Sequence, residues 1–131
     1  MSHLLDVNLL LACGWRSHPD HAAARNWLSR QSRFTTCPIS QLGFLRVSMS
    51  PGYRSSFADA QTALAGITAM RQAQFIRDDL PTAKLPGLGS HAEVTDAYLV
   101  ELAKSHSLKL ATLDKALCQK SWAVGVAENP L

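Results

Sequence analysis

Three aspartates occupy positions from which their side chains could do chemistry together. Asp6 directly follows a short apolar run at residues 3–5, and Asp114 lies two residues beyond a second run at residues 108–112. Asp96 shares one stripe of a predicted helix with apolar residues, which is unusual for an acid. Three carboxylates that converge would repel one another and raise one another's pKa unless a cation neutralised them.

A divalent metal ion is the simplest way to neutralise such a group. Carboxylate oxygens alone, with no histidine or thiolate, suit Mg²⁺ or Mn²⁺, which keep several waters and bind phosphate oxygens. We therefore expect Asp6, Asp96 and Asp114 to be catalytic and metal-ligating residues acting on a phosphate ester, with the metal activating water and stabilising developing charge. The other seven acids are predicted to be solvated surface charges: Asp20, Asp59, Asp78, Asp79, Glu93, Glu101 and Glu128.

Short apolar strands that alternate with helices predict the scaffold. The predicted strands are residues 3–5, 33–37, 74–77 and 108–112, with a final edge strand at 122–126. The predicted helices are residues 7–12, 19–30, a helix opened by Pro38 and reaching 47, then 57–70, 90–105 and 114–120, and residues 78–89 form a loop. Asp96 falls in the second turn of its helix. This pattern predicts one α/β domain over residues 1–131, with a central parallel sheet of four or five strands flanked by helices.

Such a sheet would bring the acids together. In a parallel sheet with right-handed crossovers, the carboxyl ends of the strands and the amino ends of the following helices lie along one edge, where ligands bind. Asn8 and Thr112 are placed there to orient carboxylates by hydrogen bonds, although each could instead cap a helix or close a turn. Asp114 could likewise cap the helix after it, and Asp96 could pair with Arg46.

Composition, net charge and cysteine spacing limit which classes of protein and partner fit this chain. With 47% hydrophobic and 18% charged residues, the 131-residue chain is expected to fold alone. Its net charge of +3 is compatible with a polyanionic partner without requiring one. Three cysteines with no close pair argue against a disulfide framework or a thiolate zinc site. No signal peptide and no run of about 20 apolar residues is found, so we expect a cytoplasmic protein without membrane contact.

A few other polar residues are candidates for contacts. Arg46 could reach a phosphate or an acid, or be structural. Tyr53 and Arg54 follow Pro-Gly in a predicted exposed turn and are candidates for touching a nucleic acid or a protein partner. His18 and His21 are expected at the surface rather than in a metal site.

Several short motifs, in the same order, resemble the PIN-domain ribonucleases, and especially the toxins of VapBC-type toxin–antitoxin pairs. They are Leu4-Leu5-Asp6-Val7-Asn8, His18-Pro19-Asp20-His21-Ala22-Ala23-Ala24, Cys37-Pro38-Ile39-Ser40-Gln41-Leu42-Gly43-Phe44-Leu45-Arg46-Val47, Val94-Thr95-Asp96-Ala97-Tyr98-Leu99 and Ala111-Thr112-Leu113-Asp114. The resemblance covers nearly the whole chain. It implies a PIN-like fold, metal-dependent endonucleolytic cleavage of single-stranded RNA, homodimerisation, and inhibition by a cognate antitoxin.

One position departs from the family pattern. Gln41 stands where many members have a glutamate, and a neutral amide can accept hydrogen bonds but cannot act as a base or balance the charge of a metal ion. Gln41 is therefore predicted to line the site, beside Asn8 and Thr112, rather than to bind metal. The alternative function is a weakly active or inactive PIN-like module that binds RNA or an antitoxin. A phosphoacceptor receiver is a third possibility, although the acidic pair and late lysine that it needs are not clear here.

Overall fold

The fold is built on a five-stranded sheet in which all strands run parallel. The computed structural model describes residues 2–131. The strands are β1 (His3–Leu5), β2 (Phe34–Thr36), β3 (Ala73–Phe75), β4 (Lys109–Ala111) and β5 (Ala127–Glu128). The helices are α1 (Val7–Gly14), α2 (His21–Ser29), α3 (Pro38–Ser48), α4 (Phe57–Thr68), α5 (Val94–Ser105) and α6 (Lys115–Cys118), with 3₁₀ turns at Thr82–Lys84 and His91–Glu93.

The strand order places the first strand at the centre of the sheet. The order is β3-β2-β1-β4-β5, so the chain builds outward on one side of β1 and then crosses to the other side. Such a reversal leaves a crevice at the carboxyl ends of the two strands that flank it, here β1 and β4. Leu5 is in register with Ala111, and the Asp6 N–H donates to the Ala111 carbonyl at 2.9 Å. The residues that follow β1 and β4 are therefore neighbours at this edge.

Both faces of the sheet are covered, as a parallel sheet requires. Leu4 and Leu5 are fully buried and belong to different clusters, because successive side chains of a strand point to opposite faces. Leu5 packs with residues of α1, α2 and α4 and with Phe34 and Phe44, whereas Leu4 packs with residues of α5 and α6. The predicted parallel sheet flanked by helices is confirmed.

Some element boundaries differ from the sequence predictions. The predicted edge strand at 122–126 is wrong: residues 121–126 form turns, with Gly125 at φ +83°, and the strand is Ala127–Glu128. Helix α2 begins at His21 rather than at Pro19, because residues 19–20 form a turn in which the His21 N–H donates to the His18 carbonyl at 3.0 Å. The predicted loop at 78–89 contains one 3₁₀ turn.

The start of α5 changes the setting of Asp96. Ser90 caps a 3₁₀ turn by accepting from the Ala92 N–H at 3.2 Å, and regular α-helix begins only at Val94. Asp96 therefore lies in the first turn of α5 rather than in the second. This position is closer to the amino end of the helix, where the helix dipole favours negative charge.

Two expectations about the chain as a whole can be compared with this fold. Cys13, Cys37 and Cys118 are all free thiols, as their spacing predicted. None of the helices in residues 2–131 has both the length and the apolarity needed to cross a bilayer.

Candidate active site

Asp6 joins the central strand to the first helix. It is the N-cap of α1, and its Oδ1 accepts from the Val7 N–H at 2.8 Å. The side chain is nearly buried, with 5% of the residue exposed. Burial raises the pKa of Asp6, while hydrogen bonds from Thr112 and Val7 lower it and the charge of Asp114 raises it further. The fold therefore buries the Asp6 carboxylate in a position where loss of water destabilises its ionised form.

The fully buried hydroxyl of Thr112 connects three residues of this edge. Its Oγ1 donates its only hydrogen to Asp6 Oδ2 at 2.8 Å. The same oxygen accepts from Asn8 Nδ2 at 3.1 Å and from the Asp114 N–H at 3.1 Å, which uses both of its lone pairs. Asn8 Oδ1 in turn accepts from the Leu113 N–H at 3.0 Å. The residues after β1 and after β4 are thus fixed to each other by one network.

Asp114 is exposed, and its carboxylate is held by the backbone of the helix that it caps. As the N-cap of α6, it accepts through Oδ1 from the Leu117 N–H at 3.1 Å. The capping role that the sequence allowed is therefore real, but it occupies only one carboxylate oxygen. Capping and participation in a site at this edge are compatible roles rather than alternatives.

Asp96, in the first turn of α5, is the third acid near this edge. It is half-buried, and its pKa is raised to about 6 by burial first and then by the charges of Asp6, Asp114 and Glu93. That electrostatic influence places the three predicted acids in one neighbourhood. An ion pair between Asp96 and Arg46 is absent from the described residues, 2–131.

The acidic edge fits a hard cation in its chemistry but is not a closed metal cluster. Within residues 2–131, no group of three or more acidic, histidine or cysteine side chains is already arranged to hold an ion. In the same part of the chain, no ion pair involves Asp6, Asp96 or Asp114. The donors are carboxylate oxygens that repel one another and have no basic partner, which is the donor set that Mg²⁺ or Mn²⁺ prefers.

Comparison with known proteins identifies the family. Residues 3–123 match the PIN domain. The ribonuclease VapC38 of Mycobacterium tuberculosis is 36% identical over 118 residues, which are 85% of this chain and 84% of that protein. This chain belongs to the PIN-domain family, in its VapC branch.

Two solved structures share the PIN fold. Mycobacterium tuberculosis VapC20, described as a Sarcin-Ricin loop cleaving toxin, has a TM-score of 0.65 and 12% identity, over 89% of this chain and 92% of that one. VapBC2 of Rickettsia felis, bound to a DNA fragment from their promoter, has a TM-score of 0.64 and 14% identity, over 98% of each chain. At these identities the likeness concerns the fold alone.

In this PIN domain, Gln41 is tied to the strand that precedes its helix. Its Nε2 donates to Thr36 Oγ1 at 3.0 Å, and Thr36 is the last residue of β2. The side chain is half-buried near the carboxyl edge. The contact between Thr36 and the amide could not be predicted from residue types, because the two side chains meet only through the geometry of the turn from β2 into α3.

Arg46, Tyr53 and Arg54 are placed differently from one another. Arg46 is exposed and lines a groove of about 380 Å³ together with Val7 and Thr95, the neighbours of two of the acids. Tyr53 and Arg54 lie beyond the far end of α3, whose eleven residues span about 16 Å. The predicted turn is present, with Pro51 and Gly52 exposed, and Tyr53 within it is half-buried because its ring packs on Trp15 with ring centroids 6.3 Å apart. Arg54 is exposed.

Glu93 belongs near the site, although the sequence predicted a solvated surface charge. Its charge contributes to the raised pKa of Asp96. Its Oε2 also pairs with Lys120 at 3.4 Å, and its Oε1 accepts from the Gly89 N–H at 3.3 Å. The spacing of three residues between Glu93 and Asp96 was the available indication, because residues at that spacing share a helical face.

Proposed function

We propose that this chain is a metal-dependent endoribonuclease, the toxin of a VapBC-type pair, acting as one PIN-like domain. The observation that carries the proposal is that Asp6, Asp96 and Asp114 influence one another electrostatically beside the carboxyl ends of β1 and β4, and that none of them has a basic ion-pair partner among residues 2–131. The ribonuclease name of VapC38 and the description of VapC20 as cleaving the Sarcin-Ricin loop support RNA as the substrate.

The three aspartates would hold Mg²⁺ or Mn²⁺. When bound, such an ion supplies an acidified water and stabilises negative charge on the phosphoryl oxygens. Thr112 orients Asp6 by donating to Oδ2, so that the carboxylate keeps one rotamer. Asn8 holds the hydroxyl of Thr112 and the backbone after β4 in place. The protein thus contributes an oriented Asp6 carboxylate beside two further acids, and hydrolysis of the phosphodiester needs no protein nucleophile.

A cleavage assay on total RNA tests this function. Wild type is expected to cut RNA with Mg²⁺ or Mn²⁺ and to stop when EDTA is added. Asp6→Asn is expected to abolish cleavage while keeping the fold, because the amide retains the shape but loses the charge. Asp59→Asn, at an exposed acid in the first turn of α4, is the matched control and should keep full activity. Cleavage that survives EDTA, or an Asp6→Asn variant as active as wild type, would exclude the proposal.

Gln41 motivates the alternative of a weak or inactive module that binds RNA or antitoxin. With an amide in place of the family's glutamate, the site has one negative charge fewer. Cleavage gained only by Gln41→Glu would favour the alternative, whereas robust wild-type cleavage would exclude it. The link to Thr36 can survive this substitution, because a glutamate can accept from the threonine hydroxyl.

A cognate antitoxin is the proposed protein partner, and the structure of VapBC2 from Rickettsia felis, a VapBC pair, supports it. The groove lined by Val7, Arg46 and Thr95 also contains apolar residues, Ile39 and the 66% exposed Leu42. An apolar groove beside the acids would let one partner block RNA access. A homodimer is also proposed, and light scattering of the purified chain would test it.

A further inference from the structure

A small surface cavity, open to solvent, lies at the carboxyl end of α1, separate from the acidic edge. Its volume is about 250 Å³, and its lining includes Cys13 and Gly14, the last two residues of α1. Asp6 caps the other end of this helix, whose eight residues span about 12 Å. The cavity is therefore not part of the candidate active site.

The lining of this cavity is basic. It includes Arg16, His21 and Arg25 and contains no acidic residue. In residues 2–131, neither arginine forms an ion pair. The buried Cys13 thiol is not a counter-ion either, because burial raises its pKa to about 12 and keeps it neutral. His21 hydrogen-bonds through Nδ1 to the Ala12 carbonyl at 2.8 Å, so this nitrogen carries the proton.

A glycine on α4 keeps the cavity open. Gly66 lies inside the helix, where glycine is less favourable than alanine. A Cβ added to Gly66 would have nothing within 4 Å, and the backbone is not in the left-handed region. Neither packing nor conformation therefore requires glycine at this position, whereas a longer side chain would project beside the two arginines.

We propose that this cavity binds a phosphate group. Guanidinium groups match phosphate oxygens in paired, charge-assisted hydrogen bonds. The volume of about 250 Å³, open to solvent, admits a phosphate with its ester oxygens. The phosphate can come from an RNA backbone, a source that rests on the proposed function, or from a free phosphate or phosphate monoester.

Titration of the full-length chain with inorganic phosphate, followed by amide NMR, tests the site directly. The amides of Gly14 and Gly66 are expected to shift and saturate. The double variant Arg16→Gln/Arg25→Gln is expected to bind phosphate about tenfold more weakly. Gly66→Leu should also lose the shift by filling the cavity, and the same spectra report whether it is folded.

Two controls make this titration specific. The double variant Arg30→Gln/Arg33→Gln removes the same charge from exposed positions outside the cavity and should bind phosphate like wild type. Gly66→Ala adds only one carbon and should retain binding. Gly14 and Gly66 amides that do not respond to phosphate, or an Arg16→Gln/Arg25→Gln variant that binds as tightly as wild type, would overturn the proposal.

Binding of a single-stranded RNA oligonucleotide to the Asp6→Asn variant identifies the source of the phosphate. If the RNA backbone occupies the cavity, adding Arg16→Gln and Arg25→Gln weakens RNA binding and lowers the salt slope by about 0.7 for one lost phosphate contact. If RNA binding is unchanged while phosphate binding is lost, the ligand is a small phosphate. If phosphate binds but RNA does not, the proposed nuclease function fails and the phosphate site stands.

Discussion

Replacing Thr112 by valine removes the hydroxyl that joins the residues after β1 and β4, while keeping the shape of the side chain. The hydroxyl makes one bond to the Asp6 carboxylate and two bonds to neutral donors, from Asn8 and the Asp114 backbone. A bond to a charged group contributes about 1.5–3 kcal/mol and a neutral one about 0.5–1.5 kcal/mol. Because all three share one atom, we expect Thr112→Val to lower the free energy of unfolding by about 3 kcal/mol.

Thr112→Ser is the matched control, because it keeps the hydroxyl and loses one buried methyl group, at a cost of about 1 kcal/mol. Urea denaturation at pH 7 in EDTA measures both variants without metal. Serine should also retain RNA cleavage, whereas valine should lose most of it because Asp6 is no longer oriented. A valine variant within about 0.5 kcal/mol of the serine variant, with equal activity, would refute the role assigned to this network.

Three further predictions concern charge and packing. In EDTA, Asp96 should make the fold less stable as pH rises from about 4 to about 6. Its pKa is about 6 in the fold and 3.8 in the unfolded chain, so the folded state binds more of its proton in this window. Asp96→Asn should flatten that slope in urea titrations at several pH values. Gly43→Ala should destabilise the fold by about 1–3 kcal/mol, because the added Cβ would overlap the Val7 Cγ2 methyl between α1 and α3. Gly66→Ala should stabilise the fold by up to about 1 kcal/mol, because its added Cβ meets nothing and alanine favours a helix more than glycine does. Equal thermal midpoints for the two variants would contradict this prediction. Gln41→Glu should bind Mn²⁺ more tightly by about tenfold in calorimetry, and unchanged affinity would show that this position does not face the ion.

Strands and helices were predictable where the residue types and the apolar pattern of a segment point to the same element. The run His3–Leu5 is apolar and ends at an acid that caps the next helix, so strand and helix start were both visible in the sequence. The last strand was not predictable in the same way. Residues 122–126 form turns in which Ala123 is buried in the core but Val124 is 65% exposed. Ala127–Glu128 pairs with β4 through backbone bonds that carry no side-chain pattern.

The candidate site was predictable in its residues but not in its connections. Strand-end positions of Asp6 and Asp114 follow from the parallel topology alone. Their linkage through one threonine oxygen depends on the register of β1 and β4, which the sequence does not encode locally. The hydrogen bond from Gln41 to Thr36 and the effect of the Glu93 charge on the pKa of Asp96 likewise depend on the geometry of the turns before α3 and α5, which residue types do not show.

Anomalous diffraction from crystals grown with Mn²⁺ tests the central claim most directly. We predict a single strong manganese peak, or a close pair of peaks, bonded to carboxylate oxygens of Asp6, Asp96 and Asp114. A manganese ion bound elsewhere, or three aspartates that stay apart and pair with basic side chains while Mn²⁺ is present, would contradict the proposed metal-dependent nuclease.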